Sequence, residues 1–248
     1  MTPLLLLPGM MCDARLYRHQ IERFSTQRTV QFGPLTLHED VQSLASDILR
    51  KAPTEFALCG LSMGGIVAME VQRQTPERVR GLALLDTNPL AELDSVKRIR
   101  GPQMDKVRAG RLLEVMRDEM KPNYLAEGDS RDDILQLCVQ MALDLGDEVF
   151  IRQSLALRER PDQCDTLRAV AVPTLILCGK EDRLCPPDRH RAMHDMVRGS
   201  TLAIIEHAGH LPVLEQPAKT NAFLQAWLQA CDSSELAIGC GSSASAST

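Results

Sequence analysis

Short apolar runs alternate with longer amphipathic stretches through residues 1–87 and again from residue 165. The runs have the length of strands and fall at 3–7, 29–32, 56–59, 82–85, 174–178 and 202–205. The stretches between them repeat apolar residues at helical spacing, as at Val41, Leu44, Ala45 and Ile48. Such alternation predicts an α/β fold with about six mostly parallel strands, flanked by helices on both faces.

The middle of the chain has a different pattern. From 88 to 164, helix-period stripes follow one another without a clear strand-like run between them. We therefore predict a helical cap over 88–164, inserted into a core made of 1–87 and 165–231. Residues 232–248 are rich in serine and predict a disordered tail.

Composition narrows the possible partners and compartments. The net charge is −5 and no basic block occurs, which argues against nucleic acid. No apolar run reaches the length of a membrane span, and Leu4–Leu7 has no basic residues before it, so we expect a cytoplasmic protein without a membrane anchor or signal peptide. The eight cysteines form no CxxC pair and favour free thiols. Neither a cofactor nor an oligomeric state is indicated.

Residues 56–72 carry the strongest chemical signal. An apolar run leads into Gly60, Ser62 and Gly64, and a helix-period pattern follows Gly65. This is G-x-S-x-G in a strand–turn–helix context, where a sharp turn raises the serine hydroxyl above the sheet edge. Ser62 is therefore the predicted nucleophile.

A serine hydroxyl needs a base within hydrogen-bond reach. His210 follows the last strand on a loop and is preferred to His207, because Gly209 should let that loop turn inward. His190 and His194, four residues apart on a predicted helix, could bind a metal, but no third ligand is evident, and we expect both on the solvated surface of that helix. We therefore predict no metal site.

The base in turn needs an orienting acid, and two aspartates follow neighbouring strands. Asp182 comes after the strand 174–178 and is framed by a glycine turn and a proline, whereas Asp86 ends the strand 82–85 and could cap the insertion. Asp182 is favoured, with Asp86 as the alternative. Glu181 is expected to point away.

The oxyanion formed by attack on a carbonyl needs hydrogen-bond donors positioned in advance. The backbone N–H of Met63, at the start of the helix after the serine, is one candidate, and the N–H of Met10 in the loop after the first strand is the other.

Four motifs occur in a recognisable order: Leu-Leu-Leu-Leu-Pro-Gly, Gly-Leu-Ser-Met-Gly-Gly, Gly-Lys-Glu-Asp-Arg and Ala-Gly-His-Leu-Pro. Over roughly 3–87 and 165–230 the chain resembles the α/β-hydrolase superfamily, especially small carboxylesterases and enol-lactonase-like hydrolases. The resemblance implies Ser62, Asp182 and His210 as the catalytic triad and 88–164 as a lid over the site. It also implies a shortened, six-stranded sheet.

The main functional hypothesis is a serine hydrolase (carboxylesterase-like, EC 3.1.1) that cleaves an ester or lactone through an acyl-Ser62 intermediate. The alternatives are a thioesterase or acyltransferase, a hydrolase of carbon–carbon bonds, and a ligand-binding protein without catalysis. Methionines near the site, including Met10, Met11 and Met63, predict an adaptable apolar pocket. Because no arginine cluster stands out, we expect a small, largely apolar substrate.

Overall fold

The computed structural model describes residues 1–120 and 123–239. Its centre is a sheet of six strands: β1 (Leu4–Leu7), β2 (Val30–Phe32), β3 (Phe56–Leu61), β4 (Val79–Leu85), β5 (Thr174–Gly179) and β6 (Thr201–Ile205). Their order is β2-β1-β3-β4-β5-β6, and every neighbouring pair is parallel. The predicted α/β architecture with six strands is confirmed.

Helices cover the sheet on both sides, so successive strand residues pack into different cores. Leu5 and Leu7 face the cluster that includes α2 (Val41–Lys51) and α3 (Met63–Gln74). Leu4 and Leu6 face the cluster that includes Phe24 of α1 (Arg18–Phe24) and Trp227 of the last helix. Both faces of the sheet are therefore buried, which is why these strands are continuously apolar.

Among the described residues, the regular elements between β4 and β5 are all helices, joined by loops and turns. It contains α4 (Asp94–Arg108), α5 (Leu112–Glu114), a π-helical stretch (Val115–Met120), α6 (Arg131–Leu145), α7 (Asp147–Arg158) and α8 (Cys164–Arg168). Helices α4 and α7 pack against each other and extend the first core cluster upward from the sheet. The segment therefore shares the core of the sheet.

After β5 the chain forms α9 (Pro187–Met196), β6, α10 (Pro212–Glu215) and α11 (Pro217–Gly239). The predicted tail from 232 needs correction, because α11 continues through 232–239. Asp232 accepts a hydrogen bond from the Thr2 N–H at 2.9 Å and pairs with Arg28 at 3.0 Å, which anchors this part of the helix. Residues 240–248 lie outside the described residues. In the described chain, every helix is too short or too polar to cross a bilayer.

Candidate active site

Ser62 joins β3 to α3 and has backbone angles φ 53° and ψ −116°, which residues other than glycine rarely adopt. The flanking glycines permit this turn by close packing. A Cβ on Gly60 would lie 2.2 Å from the Gly64 carbonyl oxygen, and one on Gly64 would lie 2.1 Å from the Leu7 carbonyl oxygen. The elbow predicted from the sequence is therefore present, with its serine in strained geometry.

Thr87, just past β4, supports the elbow from below. Its hydroxyl donates to the Ser62 carbonyl at 2.7 Å, and its side chain occupies the space that a Cβ on Gly65 would need. The Thr87 N–H donates at 3.1 Å to Nε2 of His190, whose Nδ1 lies 3.3 Å from the Pro186 carbonyl. His190 is fully buried, and burial lowers its pKa to about 4, so the ring is neutral at pH 7.

Ser62, His210 and Asp182 are brought together at the carboxyl edge of the sheet. His210 Nε2 lies 2.9 Å from Ser62 Oγ, and His210 Nδ1 lies 2.8 Å from Asp182 Oδ2. The second carboxylate oxygen of Asp182 accepts the N–H groups of Leu184 at 2.8 Å and Cys185 at 3.0 Å. With the ring proton on Nδ1, Nε2 is free to accept the proton of the serine hydroxyl.

Asp182 is held as a carboxylate. Burial acts to raise its pKa, but the neighbouring His210 and the backbone donors of Leu184 and Cys185 outweigh burial, so the pKa lies below the usual value. A carboxylate in this state fixes the tautomer of His210 and would stabilise the ring when it becomes positively charged.

The rival residues lie elsewhere. His207 is exposed, and the Glu181 carboxylate accepts the Ala208 N–H at 3.0 Å. Asp86 is fully buried and accepts the Gly179 N–H through Oδ1 at 2.9 Å, while its Oδ2 has no hydrogen-bond donor among the described residues. Burial and the nearby charge of Asp182 raise the pKa of Asp86 well above its usual range. These surroundings favour the protonated form of Asp86, and its hydrogen bond is to Gly179 and not to His210.

The loop of His210 is held by the helical segment between β4 and β5. The His210 N–H donates to the Tyr124 carbonyl at 2.6 Å, and a Cβ on Gly209 would lie 2.5 Å from that same oxygen. Gly209 is therefore required by close approach, and the conformational freedom invoked from the sequence is not its reason. The Glu215 carboxylate draws the segments together by accepting backbone N–H groups of Gly209, Leu211 and Ala126.

The predicted oxyanion donors border the same cavity as Ser62. Met63 is the first residue of α3, and the Met10 N–H has no acceptor among the described residues. Met11 has a left-handed φ of 54°, and its N–H donates to Gln153 Oε1 at 2.8 Å. Gln153 lies in α7 and also donates to the Leu35 carbonyl at 2.8 Å, so a cap residue that the sequence did not single out braces this loop.

Among the described residues, few side chains that could bind a metal lie together. In the described ranges, Asp182, Cys185 and His210 form the one group of three potential ligands, and two of them bond to each other. His190, predicted to lie at the surface, is instead buried with both ring nitrogens near backbone partners. His194 Nδ1 lies 2.7 Å from the Ser200 hydroxyl.

A cavity of about 350 Å³ opens above Ser62, between the sheet edge and the helical segment that joins β4 to β5. Much of its lining is apolar and includes Ile66, Val96, Ile99 and Leu157. The wall also contains three arginines and two glutamates: Arg100, Arg160, Arg189, Glu92 and Glu119. The sequence predicted an apolar pocket and showed no arginine cluster, because these charged residues come from separate segments of the chain and meet only when it folds.

A parallel sheet with a strained serine on its carboxyl edge, bonded through a histidine to an aspartate, defines the α/β-hydrolase class. A model of the alpha/beta hydrolase family matches residues 4–223, and the chain belongs to that family.

Among curated proteins, the chain is similar to a pimeloyl-[acyl-carrier protein] methyl ester esterase of Neisseria meningitidis. The two are 24% identical over 191 residues, covering 73% of this chain and 60% of that protein, which is less than two thirds of its length. The corresponding esterase of Salmonella newport is 26% identical over 217 residues, covering 84% of this chain and 80% of that protein.

Among solved structures, an esterase from Thermogutta terrifontis with malate bound superposes with a TM-score of 0.85 at 28% identity, covering 93% of this chain and 90% of that one. An enol-lactonase from Burkholderia xenovorans superposes with a TM-score of 0.81 at 17% identity, covering 92% of both chains, and shows a shared fold alone.

Proposed function

We propose that this protein is a serine hydrolase that cleaves a carboxylic ester or lactone of a small substrate through an acyl-Ser62 intermediate. The observation that carries the proposal is the continuous hydrogen-bonded chain from Ser62 Oγ through His210 to Asp182, at the floor of a cavity. The esterases among the relatives support ester hydrolysis over acyl transfer or carbon–carbon cleavage.

In this mechanism Ser62 Oγ attacks the carbonyl carbon while His210 Nε2 takes its proton. The negative oxygen is stabilised by the N–H groups of Met10 and Met63, each worth roughly 3–4 kcal/mol in such sites. His210 then donates the proton to the leaving alkoxide, and the acyl-serine forms. Water activated by the same imidazole attacks the acyl carbon, which releases the acid and restores Ser62. Asp182 orients His210 and stabilises its cation throughout.

The cavity limits the size of the substrate. A volume of about 350 Å³ lies at the lower end of the range for small-molecule sites, so a compact acyl chain or a single ring suits it. Because the roof is made of cap residues, the cap is proposed to select the substrate, and the division into a core of 1–87 and 165–231 and a cap of 88–164 is part of this proposal.

Hydrolysis of p-nitrophenyl esters from acetate to decanoate tests the proposal, with Ser62→Ala measured alongside. We expect turnover to peak at one chain length and to fall at least about a thousandfold in Ser62→Ala, because the acyl-enzyme cannot form. Ser95→Ala, an exposed serine on α4, is the matched control and should keep full activity.

A second readout separates the serine mechanism from other chemistry. A fluorophosphonate probe should label Ser62 and no other serine, as mapped by mass spectrometry. Residual turnover in Ser62→Ala above about a tenth of the wild-type rate would reject the mechanism. Labelling without ester turnover would keep the nucleophile and move the substrate to lactones or thioesters.

A further inference from the structure

One wall of the cavity carries a nearly buried charged group. Glu92 Oε2 accepts from Arg100 Nε at 2.9 Å, and Glu92 Oε1 pairs with Arg160 Nη2 at 2.9 Å. The side chains are 4%, 12% and 8% exposed for Glu92, Arg100 and Arg160. All three border the same cavity as Ser62 and His210.

The charges of this group do not cancel. Two guanidinium cations share one carboxylate, which leaves one net positive charge in a wall with little access to water. Burial lowers the pKa of Arg160, and the Arg100 cation acts in the same direction. The cost of a buried cation is recovered only when an anion and hydrogen bonds meet it.

The donors of both arginines are only partly used. Arg160 Nε donates to the Leu90 carbonyl at 2.9 Å, but its Nη1 has no acceptor among the described residues. Arg100 Nη1 has only the Met10 sulfur, at 4.0 Å, which is a weak acceptor. A single arginine would be enough to neutralise Glu92. Two arginines bind it here, so one positive charge remains unpaired within this group.

The other acid in the wall does not supply the missing charge. Glu119 is paired with Lys106 at 2.5 Å and accepts from Gln103. Within the described chain, the surplus positive charge of Arg100 and Arg160 is therefore left for a ligand.

We propose that Arg100 and Arg160 bind a carboxylate on the substrate, remote from the ester that Ser62 cleaves. The proposal rests on the proposed function and names its substrate class: half-esters or lactone acids with one negative charge. A single carboxylate matches the one surplus charge of the group formed by Glu92, Arg100 and Arg160. Planar guanidinium groups also suit the two oxygens of a carboxylate.

Matched pairs of methyl esters test this. Monomethyl succinate, glutarate and adipate are compared with methyl butyrate, valerate and hexanoate, in which a methyl group replaces the carboxylate. We expect at least one half-ester to show a kcat/KM at least about tenfold above its neutral partner, because charge-assisted hydrogen bonds form. Rising ionic strength should reduce that preference only weakly, since the pair is shielded from solvent.

Variants assign the preference to the wall. Arg160→Gln should lower kcat/KM for the half-ester about tenfold more than for its neutral partner. Arg160→Lys should retain part of the preference, because it keeps the charge and loses the fork. Lys180→Gln removes the same charge from an exposed residue paired with Glu206 and should leave both rates unchanged.

Equal rates on half-esters and neutral esters, or an equal loss on both in Arg160→Gln, would overturn the inference while the proposed function stands. If no ester is hydrolysed, the proposed function fails, and calorimetric titration with monomethyl glutarate decides the inference by itself. Binding to wild-type protein that weakens at least about tenfold in Arg160→Gln supports it, and binding that is absent or unchanged rejects it.

Discussion

Asp86 and Asp182 follow adjacent parallel strands, β4 and β5, and both are buried at the same edge of the sheet. Their surroundings differ. Asp182 receives two backbone N–H groups and faces His210, whereas Asp86 receives only the Gly179 N–H and leaves Oδ2 without a donor. The pKa of Asp182 therefore lies below the usual value, and the pKa of Asp86 lies well above it.

The comparison teaches that topological position alone does not select the acid of the site. Both strand ends reach the neighbourhood of His210, but only the turn after β5 supplies donors that stabilise a negative charge. Burial and the charge of Asp182 favour the protonated form of Asp86, whereas His210 and two backbone N–H groups favour the ionised form of Asp182.

The largest effect on kcat is expected when the negative charge of Asp182 is removed. Asp182→Asn should lower kcat about a thousandfold or more, because the amide cannot hold His210 in the correct tautomer or stabilise its cation. Steady-state kinetics on the best p-nitrophenyl ester measures this. A greater loss in Asp86→Asn than in Asp182→Asn would reverse the assignment of the acid.

Next in size is the response of His190, which lies against the Asp86–Thr87 segment. Its folded pKa of about 4 is below the ordinary histidine pKa of 6.5, so its stabilisation is full above pH 6.5 and is lost as pH falls towards 4. His190→Gln can accept from Thr87 without titrating. Urea unfolding at pH 7 and pH 4.5 should show wild type losing on the order of 2 kcal/mol more than the variant, as a shift of this size implies. Equal losses would contradict a buried neutral ring.

The smallest effect on kcat is expected from the substitution of Asp86. Asp86→Asn keeps an acceptor for Gly179 and a donor towards Asp182, so kcat should fall less than about tenfold. Stability gives the sharper reading. A raised folded pKa means that stability from Asp86 is present below the unfolded value near 3.8 and declines as pH rises towards the folded value. Relative to wild type, Asp86→Asn should therefore gain in melting temperature as pH rises above 3.8, and a difference that stays constant would contradict a raised pKa of Asp86.

Local signals were enough to predict the sheet and the three bonded side chains. The strands are short apolar runs, and Ser62, Asp182 and His210 each follow one of them with a glycine nearby. These features depend on a few consecutive residues, so they can be predicted without knowledge of the tertiary fold. The predicted strand boundaries agree with the structure to within a few residues for the same reason.

The residues that support the site could not be predicted this way. Gln153 is 142 positions away in sequence from Met11, the residue that it binds. On α7 it is one of several polar residues, so nothing in the local sequence distinguishes it. The buried group of Glu92, Arg100 and Arg160 is likewise assembled from separate segments. His190 was misplaced because its neighbours on α9 are polar, whereas the helix turns this one ring towards Thr87.

The bonds of Gln153 and Glu215 also bear on how new specificities could be engineered. The cap supplies a brace to the Met11 loop, and the Glu215 carboxylate joins the Ala126 N–H of the cap to the loop that carries His210. A chimera that exchanged 88–164 for another cap would remove both connections along with the pocket wall. Retaining Gln153 and the backbone of 124–126 gives such a chimera a means of changing its substrate while its reactive centre stays assembled.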